Sequence, residues 1–358
     1  MERPRLLICP LDWGLGHAVR CVPVIRALKR AGAVPVIAAD KGPWDLLKKE
    51  FPDEEFIRFP GVTVTYPSAG GSMFLGMLRQ SPQLLAGIQK EKAFVEKAVA
   101  ELNIQGVVSD NRFGAFSRRV PSVYISHQIH IQTGNRFTDA LARMQHAGYM
   151  KRYRHVWIPD AAGDENLAGK LAHGKHIPEH ATYIGALCRF TKPLTDTNPT
   201  YEAALILSGP EPQRSLLEDD FLAQIGAFPH KKFLLIRGKK EPLETVPPHL
   251  TQIPLADHHD IQHAYAQAEH IICRSGYTSV MEMAAVGRSA WLIPTPGQTE
   301  QEYLARHLHG RHWFSFVRQD LFKLEDVWKE IPSKNRRAFV QPSNTLAQAI
   351  QAFLSEIK

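Results

Sequence analysis

Short apolar, β-branched runs alternate along the chain with stretches whose apolar residues recur at helical spacing. In the first half the runs are Leu6–Cys9, Val34–Ala38, Phe56–Phe59, Gly106–Ser109, Ser122–Ile125 and His155–Ile158. Runs that are apolar throughout suit strands buried on both faces, and strands separated by helical stretches suit a parallel sheet with crossover helices. Between the first two runs the spacing predicts a helix from Ala18 to Ala31, with Val22, Ile25 and Leu28 on one face and Gly32 as its stop. A turn-rich stretch, Arg189–Pro199, then interrupts the pattern. Beyond it the alternation restarts with Ala204–Ser208, a helix at Ser215–Ile225, Lys232–Arg237, a helix at Ile261–Ala268, His270–Cys273 and Ala290–Ile293. Thr345–Ile357 closes the chain at helical spacing.

The predicted class is α/β, with two Rossmann-like parallel-sheet domains: residues 1–188, a linker at 189–200, residues 201–342, and a last helix within 343–358. A chain of 358 residues exceeds what one hydrophobic core usually organises, which agrees with two domains. Hydrophobic residues at 44% and charged residues at 22% exclude a disordered or fibrous chain. The formal charge of +7 points to an anionic partner, either a phosphorylated metabolite or an anionic membrane surface. Nucleic acid fits less well, because Lys and Arg are spread along the chain with no basic arm or recognition motif. Cys9, Cys21, Cys188 and Cys273 lie far apart, which suggests neither a zinc knuckle nor a disulfide framework and suits a reducing cytoplasm. No apolar run is long enough to span a bilayer, and no signal peptide is recognised.

Candidate chemistry gathers where predicted strands run into predicted helices. The first strand is followed by Pro10–His17, in which Gly14 and Gly16 permit a tight turn and the amides of a helix start favour an anion. The dinucleotide fingerprint is incomplete, because Val19 stands where its last glycine would be. His17, in the first helical turn, suits either a general base for an acceptor hydroxyl or a contact within the loop. Ser208 and Gly209, with Arg214 nearby, repeat the phosphate-loop logic, and an ordinary strand-to-helix turn would read the same way. Ser275 and Gly276 open a helix after the strand Ile271–Cys273, and Glu282 is an acid inside its otherwise apolar stretch, where a carboxylate needs a partner such as a pair of ribose hydroxyls. Gln298 and Gln301 follow the next strand, with side chains suited to uncharged sugar hydroxyls. Asp257–Asp260 and the pair His127 and His130 do not supply a full metal ligand set, and no Asp-x-Asp string occurs, so no metal or other cofactor is expected.

Ile271–Leu308, together with Gly14–Gly32 and Ser208–Arg214, resembles the GT-B glycosyltransferases of family 28. The resemblance implies a GT-B fold, with two domains facing across a cleft and the last helix crossing back to the first. It implies an inverting, metal-independent transfer of a hexose such as N-acetylglucosamine from a UDP-sugar to an acceptor hydroxyl. Ser275 and Gly276 would then face the diphosphate, with Ser208, Gly209 and Arg214 contributing. Glu282 would hold the ribose, Gln298 and Gln301 the sugar, and Arg189 at the domain junction the donor phosphates. His17 would be the catalytic base or an acceptor contact, with Gly14, Gly16 and His127 on the acceptor side. Asp12–His17 and Ser126–His130 depart from the family's pattern on that side, which leaves the acceptor open. A lipid-linked acceptor agrees with the basic charge and with the apolar segment Ser72–Arg79, and implies a cytoplasmic protein peripheral to the inner face of the cytoplasmic membrane. Two other classes use the same architecture: a UDP-N-acetylglucosamine 2-epimerase, and a nucleotide-sugar-binding subunit without activity.

Overall fold

A computed structural model describes residues 3–61, 81–133, 135–190, 194, 198–310, 314–329 and 344–357. Ser72–Arg79 and most of Arg189–Pro199 lie outside them. The chain divides into two compact units, one of Met1–Arg189 with Gln341–Lys358 and one of Phe190–Val340.

The first unit is built on seven parallel strands: β1 (Arg5–Pro10), β2 (Val34–Ala39), β3 (Glu55–Arg58), β4 (Gly106–Asp110), β5 (Ser122–Ile125), β6 (His155–Ile158) and β7 (Ala181–Tyr183), in the order β3-β2-β1-β4-β5-β6-β7. Helices α1 (Gly16–Arg30), α2 (Lys41–Glu50), α3 (Ser81–Glu101) and α4 (Arg136–Met150) make crossovers. Among the strands at the middle, β4 and β5 are buried along their whole length and β1 at every residue after Arg5, as apolar runs in a sheet covered on both faces require. Helix α1 ends where Gly32 takes a φ of 91°, a left-handed turn that glycine makes without a Cβ clash.

The second unit repeats the plan with β8 (Tyr201–Ile206), β9 (Phe233–Ile236), β10 (Leu250–Ile253), β11 (Ala268–Cys273), β12 (Trp291–Leu292) and β13 (Ser315–Phe316), all parallel, in the order β10-β9-β8-β11-β12-β13. Its helices are α5 (Gln213–Ile225), α6 (His258–Gln267), α7 (Tyr277–Ala285) and α8 (Thr299–Leu308). Leu205, Phe221, Phe233 and Ile272 meet in its core. The last helix, α9 (Thr345–Ser355), belongs to the first unit. There Phe353, fully buried, meets Trp157 edge-on with ring centroids 6.0 Å apart. Gly106 makes room for it, since a Cβ at that position would lie 2.8 Å from the Phe353 ring. Glu356 adds an ion pair to Arg154 at 3.0 Å and lies 3.1 Å from Nε2 of His155.

Candidate functional site

In each unit the chain leaves a central strand in one direction while its neighbouring strand is reached from the other. Such switch points, outside the carboxyl ends of parallel strands, are where open sheets bind ligands. They fall between β1 and β4 in the first unit and between β8 and β11 in the second.

At the first switch point, β1 and β4 hold Pro10 opposite Asp110, and the Leu11 amide donates to the Asp110 carbonyl at 3.0 Å. Gly14 adopts a φ of 92° and Gly16 opens α1, which brings His17 into the first turn. Arg20 lies one turn further along the same face, only 2% exposed, and donates through Nε to Asp110 Oδ2 at 3.0 Å and through Nη2 to Oδ1. Its Nη1 donates to Nδ1 of His127, just past β5, at 2.9 Å. A guanidinium can only donate, so neutral His127 carries its proton on Nε2. His17 Nδ1 stands 3.3 Å from Asp110 Oδ1 and 2.8 Å from Arg20 Nη2. One of these groups only accepts and the other only donates, so the two contacts belong to different tautomers. With the proton on Nδ1, His17 faces Asp110 and its Nε2 lone pair is available to a hydroxyl proton.

The electrostatics follow from burial. Burial by itself would raise the Asp110 carboxyl, but the charges of Arg20 and His17 and the hydrogen bonds from both hold it at about 2. His17 is pushed below its ordinary value, first by burial and then by Arg20, with Asp110 pulling the other way. The group is thus a neutral imidazole beside a permanent carboxylate. Asp12 of the same loop is fixed from below by Arg112 at 3.5 Å, by the Gly61 amide at 3.2 Å and by Lys41 at 3.9 Å. Arg189 also lies in this unit, and its carbonyl accepts from Arg26 at 2.7 Å.

At the second switch point, Gly209 turns the loop after β8 with a φ of 94°, and a Cβ there would lie 3.6 Å from Thr295 Oγ1 in the loop after β12. Ser208 is exposed at the start of that turn. Ser275 is fully buried and donates its hydroxyl to the Gln301 carbonyl at 2.8 Å, while Gln301 Oε1 accepts from the Thr295 amide at 2.9 Å. These two predicted ligand residues are therefore brought together, and these contacts serve the loop. Gly276 caps α7 in an extended conformation, and a Cβ built on it meets nothing within 4 Å. A ligand can approach that backbone closely. Glu282 is 2% exposed one to two turns along α7. Gln298 caps α8, and its buried Oε1 has no hydrogen-bond partner among the described residues. Arg214 donates to Glu211 at 3.0 and 2.8 Å and to the Gly238 carbonyl at 2.6 Å. Burial would raise the Glu211 carboxyl, yet hydrogen bonds from Ser215 and Arg214 pull it to about 2, so Arg214 already has an anionic partner.

Three residues that organise these loops escape a reading of motifs. Asp110 and Arg20 are separated by 90 residues and meet only in the fold. Arg274, 1% exposed, donates to the carbonyls of Ile293, Pro294 and Gln213, tying together the loops after β11, β12 and β8. The available signal was an arginine on an apolar helix face or strand end, since a buried cation needs a partner. Asp257 and Asp260 form a reciprocal capping box that starts α6 at His258, three residues before the predicted start.

Residues 213–356 match the glycosyltransferase family 28 C-terminal domain. The UDP-N-acetylglucosamine--N-acetylmuramyl-(pentapeptide) pyrophosphoryl-undecaprenol N-acetylglucosamine transferase of Nocardia farcinica is 28% identical over 255 residues. That alignment takes in 64% of this chain and 61% of the relative, less than two thirds of either. Among solved structures, the glycotransferase of kitacinnamycin superposes with a TM-score of 0.64 at 14% identity, covering 99% of this chain and 95% of that one. MurG of Acinetobacter baumannii gives 0.57 at 15% identity, covering 98% of this chain and 99% of that one. The fold of both is shared by this chain.

Proposed function

We propose that this chain, which belongs to glycosyltransferase family 28 and has the GT-B fold, moves a hexose from a UDP-sugar to an acceptor hydroxyl with inversion of configuration and without a metal. The reading rests chiefly on one coincidence: the stretch that matches the family, residues 213–356, contains the loops after β11 and β12 that converge on the open backbone at Gly276. The relative's name supplies the donor class, a UDP-linked N-acetylhexosamine, and an acceptor joined to a lipid through pyrophosphate.

In this mechanism the Nε2 lone pair of His17 takes the acceptor's hydroxyl proton. The oxygen attacks the anomeric carbon from the face opposite UDP, and the bond to the diphosphate breaks with its electron pair leaving on UDP. In the tautomer with the proton on Nδ1, Asp110 accepts the hydrogen bond from it and stabilises the imidazolium that forms. Arg189, with the Ser275–Gly276 backbone at the start of α7, meets the charge that grows on the diphosphate, where a donor matters more to rate than to ground-state binding. Glu282 takes the ribose hydroxyls, and Gln298 with Gln301 the sugar.

Calorimetry of the full chain with UDP and a panel of UDP-sugars tests the donor half, and UDP release with candidate acceptors in EDTA tests transfer. Micromolar binding of UDP and an EDTA-insensitive, acceptor-dependent release are the expected results. Absence of UDP binding, or conversion of UDP-N-acetylglucosamine to an epimer without acceptor, refutes the reading.

A further inference from the structure

The first unit also holds a cavity of about 320 Å³ between the segment after β5, helix α4 and the loop Gly169–His176, near the lower end of the range for small-molecule sites. Its lining is cationic, with Arg143, Lys170 and Lys175 joined by His130, His173 and His176. The carboxylate on this wall, Asp139, accepts from the Thr133 amide at 2.6 Å and from its hydroxyl at 2.8 Å, so it is committed to the loop.

The walls are held in place from behind. The His130 amide donates to the Leu171 carbonyl at 2.8 Å, joining the two loops. His173 Nε2 stands 2.9 Å from Asp160, which is fully buried and also accepts the amides of Ala161, Leu167 and Ala168, each at 2.9 Å. The His173 ring stacks on Tyr183 with centroids 4.8 Å apart. His176 takes a φ of 68°, a left-handed conformation that a non-glycine residue keeps only where its surroundings enforce it.

Two observations point to an anion. Both ring nitrogens of His130 are buried and have no hydrogen-bond partner among the described residues. The ring is held below its ordinary value by burial first, and then by the like charges of Arg143, His176 and His173. An anion entering the cavity would be drawn to the positive charge of Arg143, Lys170 and Lys175. The same segment carries His127, which Arg20 ties to the His17 centre.

We propose that this cavity binds a phosphoryl or diphosphate group carried by the acceptor, through Arg143, Lys170 and Lys175 with the three histidines. Anion binding stands on the cavity itself; its assignment to the acceptor rests on the transfer reading above. The test is calorimetry of the full chain with inorganic pyrophosphate, in saturating UDP and with chloride matched for ionic strength. The wild-type chain should bind pyrophosphate in the presence of UDP. The variant Arg143→Gln/Lys170→Gln/Lys175→Gln, altered at exposed positions, should lose about tenfold or more of that affinity with its Tm and UDP affinity unchanged. Unchanged pyrophosphate affinity in the variant, or complete displacement of pyrophosphate by UDP from the wild-type chain, overturns the proposal. If the wild-type chain fails to bind UDP, the transfer reading falls while the pyrophosphate comparison, run without UDP, still decides the cavity. With a competent acceptor, the variant should raise KM for the acceptor and leave KM for the UDP-sugar unchanged; the reverse split would remove the acceptor from the cavity.

Discussion

Replacing Asp110 by Asn removes the carboxylate to which Nε and Nη2 of Arg20 both donate, in a place where neither residue reaches water. Asp110 is fully buried and Arg20 is 2% exposed. Taking one member from such a pair leaves an uncompensated buried cation, which costs roughly 3–5 kcal/mol. For a unit of this size each kcal/mol lowers Tm by roughly 2–4 °C, so the expected loss is about 6–20 °C. The double variant Arg20→Met/Asp110→Asn removes both charges and should be more stable than Asp110→Asn alone by about 2 kcal/mol or more. Hydrogen exchange of peptides covering β1 and β4, followed by mass spectrometry, isolates the effect to the first unit. A loss under about 1 kcal/mol for Asp110→Asn, or a double variant as unstable as the two single losses combined, would refute the ion-pair argument. The same pair has an acid signature. Because the carboxyl is depressed from an ordinary 3.8 to about 2 in the folded unit, its stabilisation is complete above the ordinary value and is lost as pH falls towards about 2. At about 1.4 kcal/mol per pKa unit this amounts to a few kcal/mol at pH 7. In Asp110→Asn that part of the acid dependence should vanish.

His17→Ala should lower kcat of UDP-sugar transfer by about two to four decades while leaving UDP binding unchanged. Since burial and Arg20 push the imidazole below 6.5, the acid limb of kcat/KM should fall below that pH and move upward in Arg20→Gln; a limb above 6.5 in the wild-type protein counts against His17 as the base. Gly276→Val should leave the second unit folded, because the new Cβ meets nothing within 4 Å, yet weaken UDP binding measured by calorimetry by about tenfold or more, as the branched side chain fills the approach to the α7 backbone. Phe353→Ala should cost about 3–5 kcal/mol in chemical denaturation of the first unit, since its ring is fully buried against Trp157.

The strands that carry the switch points were legible from their uninterrupted apolar runs. Ser122–Ile125 and His155–Ile158 begin and end where the pattern placed them. Of the edge strands, Glu55–Arg58 was placed one residue late, and Ala181–Tyr183, Leu250–Ile253 and Ser315–Phe316 were not legible. These three are short and largely half-buried or exposed, so selection for apolar residues leaves little trace there. The helices Lys41–Glu50 and Arg136–Met150 were also missed; the second keeps Phe137, Leu141 and Met144 exposed, which blurs the contrast between its faces.

The sequence by itself determined the α/β class, the family resemblance and the loops at which chemistry concentrates, because strand burial and glycine turns are local properties written into adjacent residues. Only the tertiary structure decided how those loops are wired. It joined Asp110 to Arg20 and His17, turned the Ser275 hydroxyl onto α8, committed Arg214 to Glu211, and gathered six basic side chains around a cavity. Charge pairing depends on distances across strands that are neighbours in the sheet and far apart in the chain, and no local pattern records which partner a buried charge will meet.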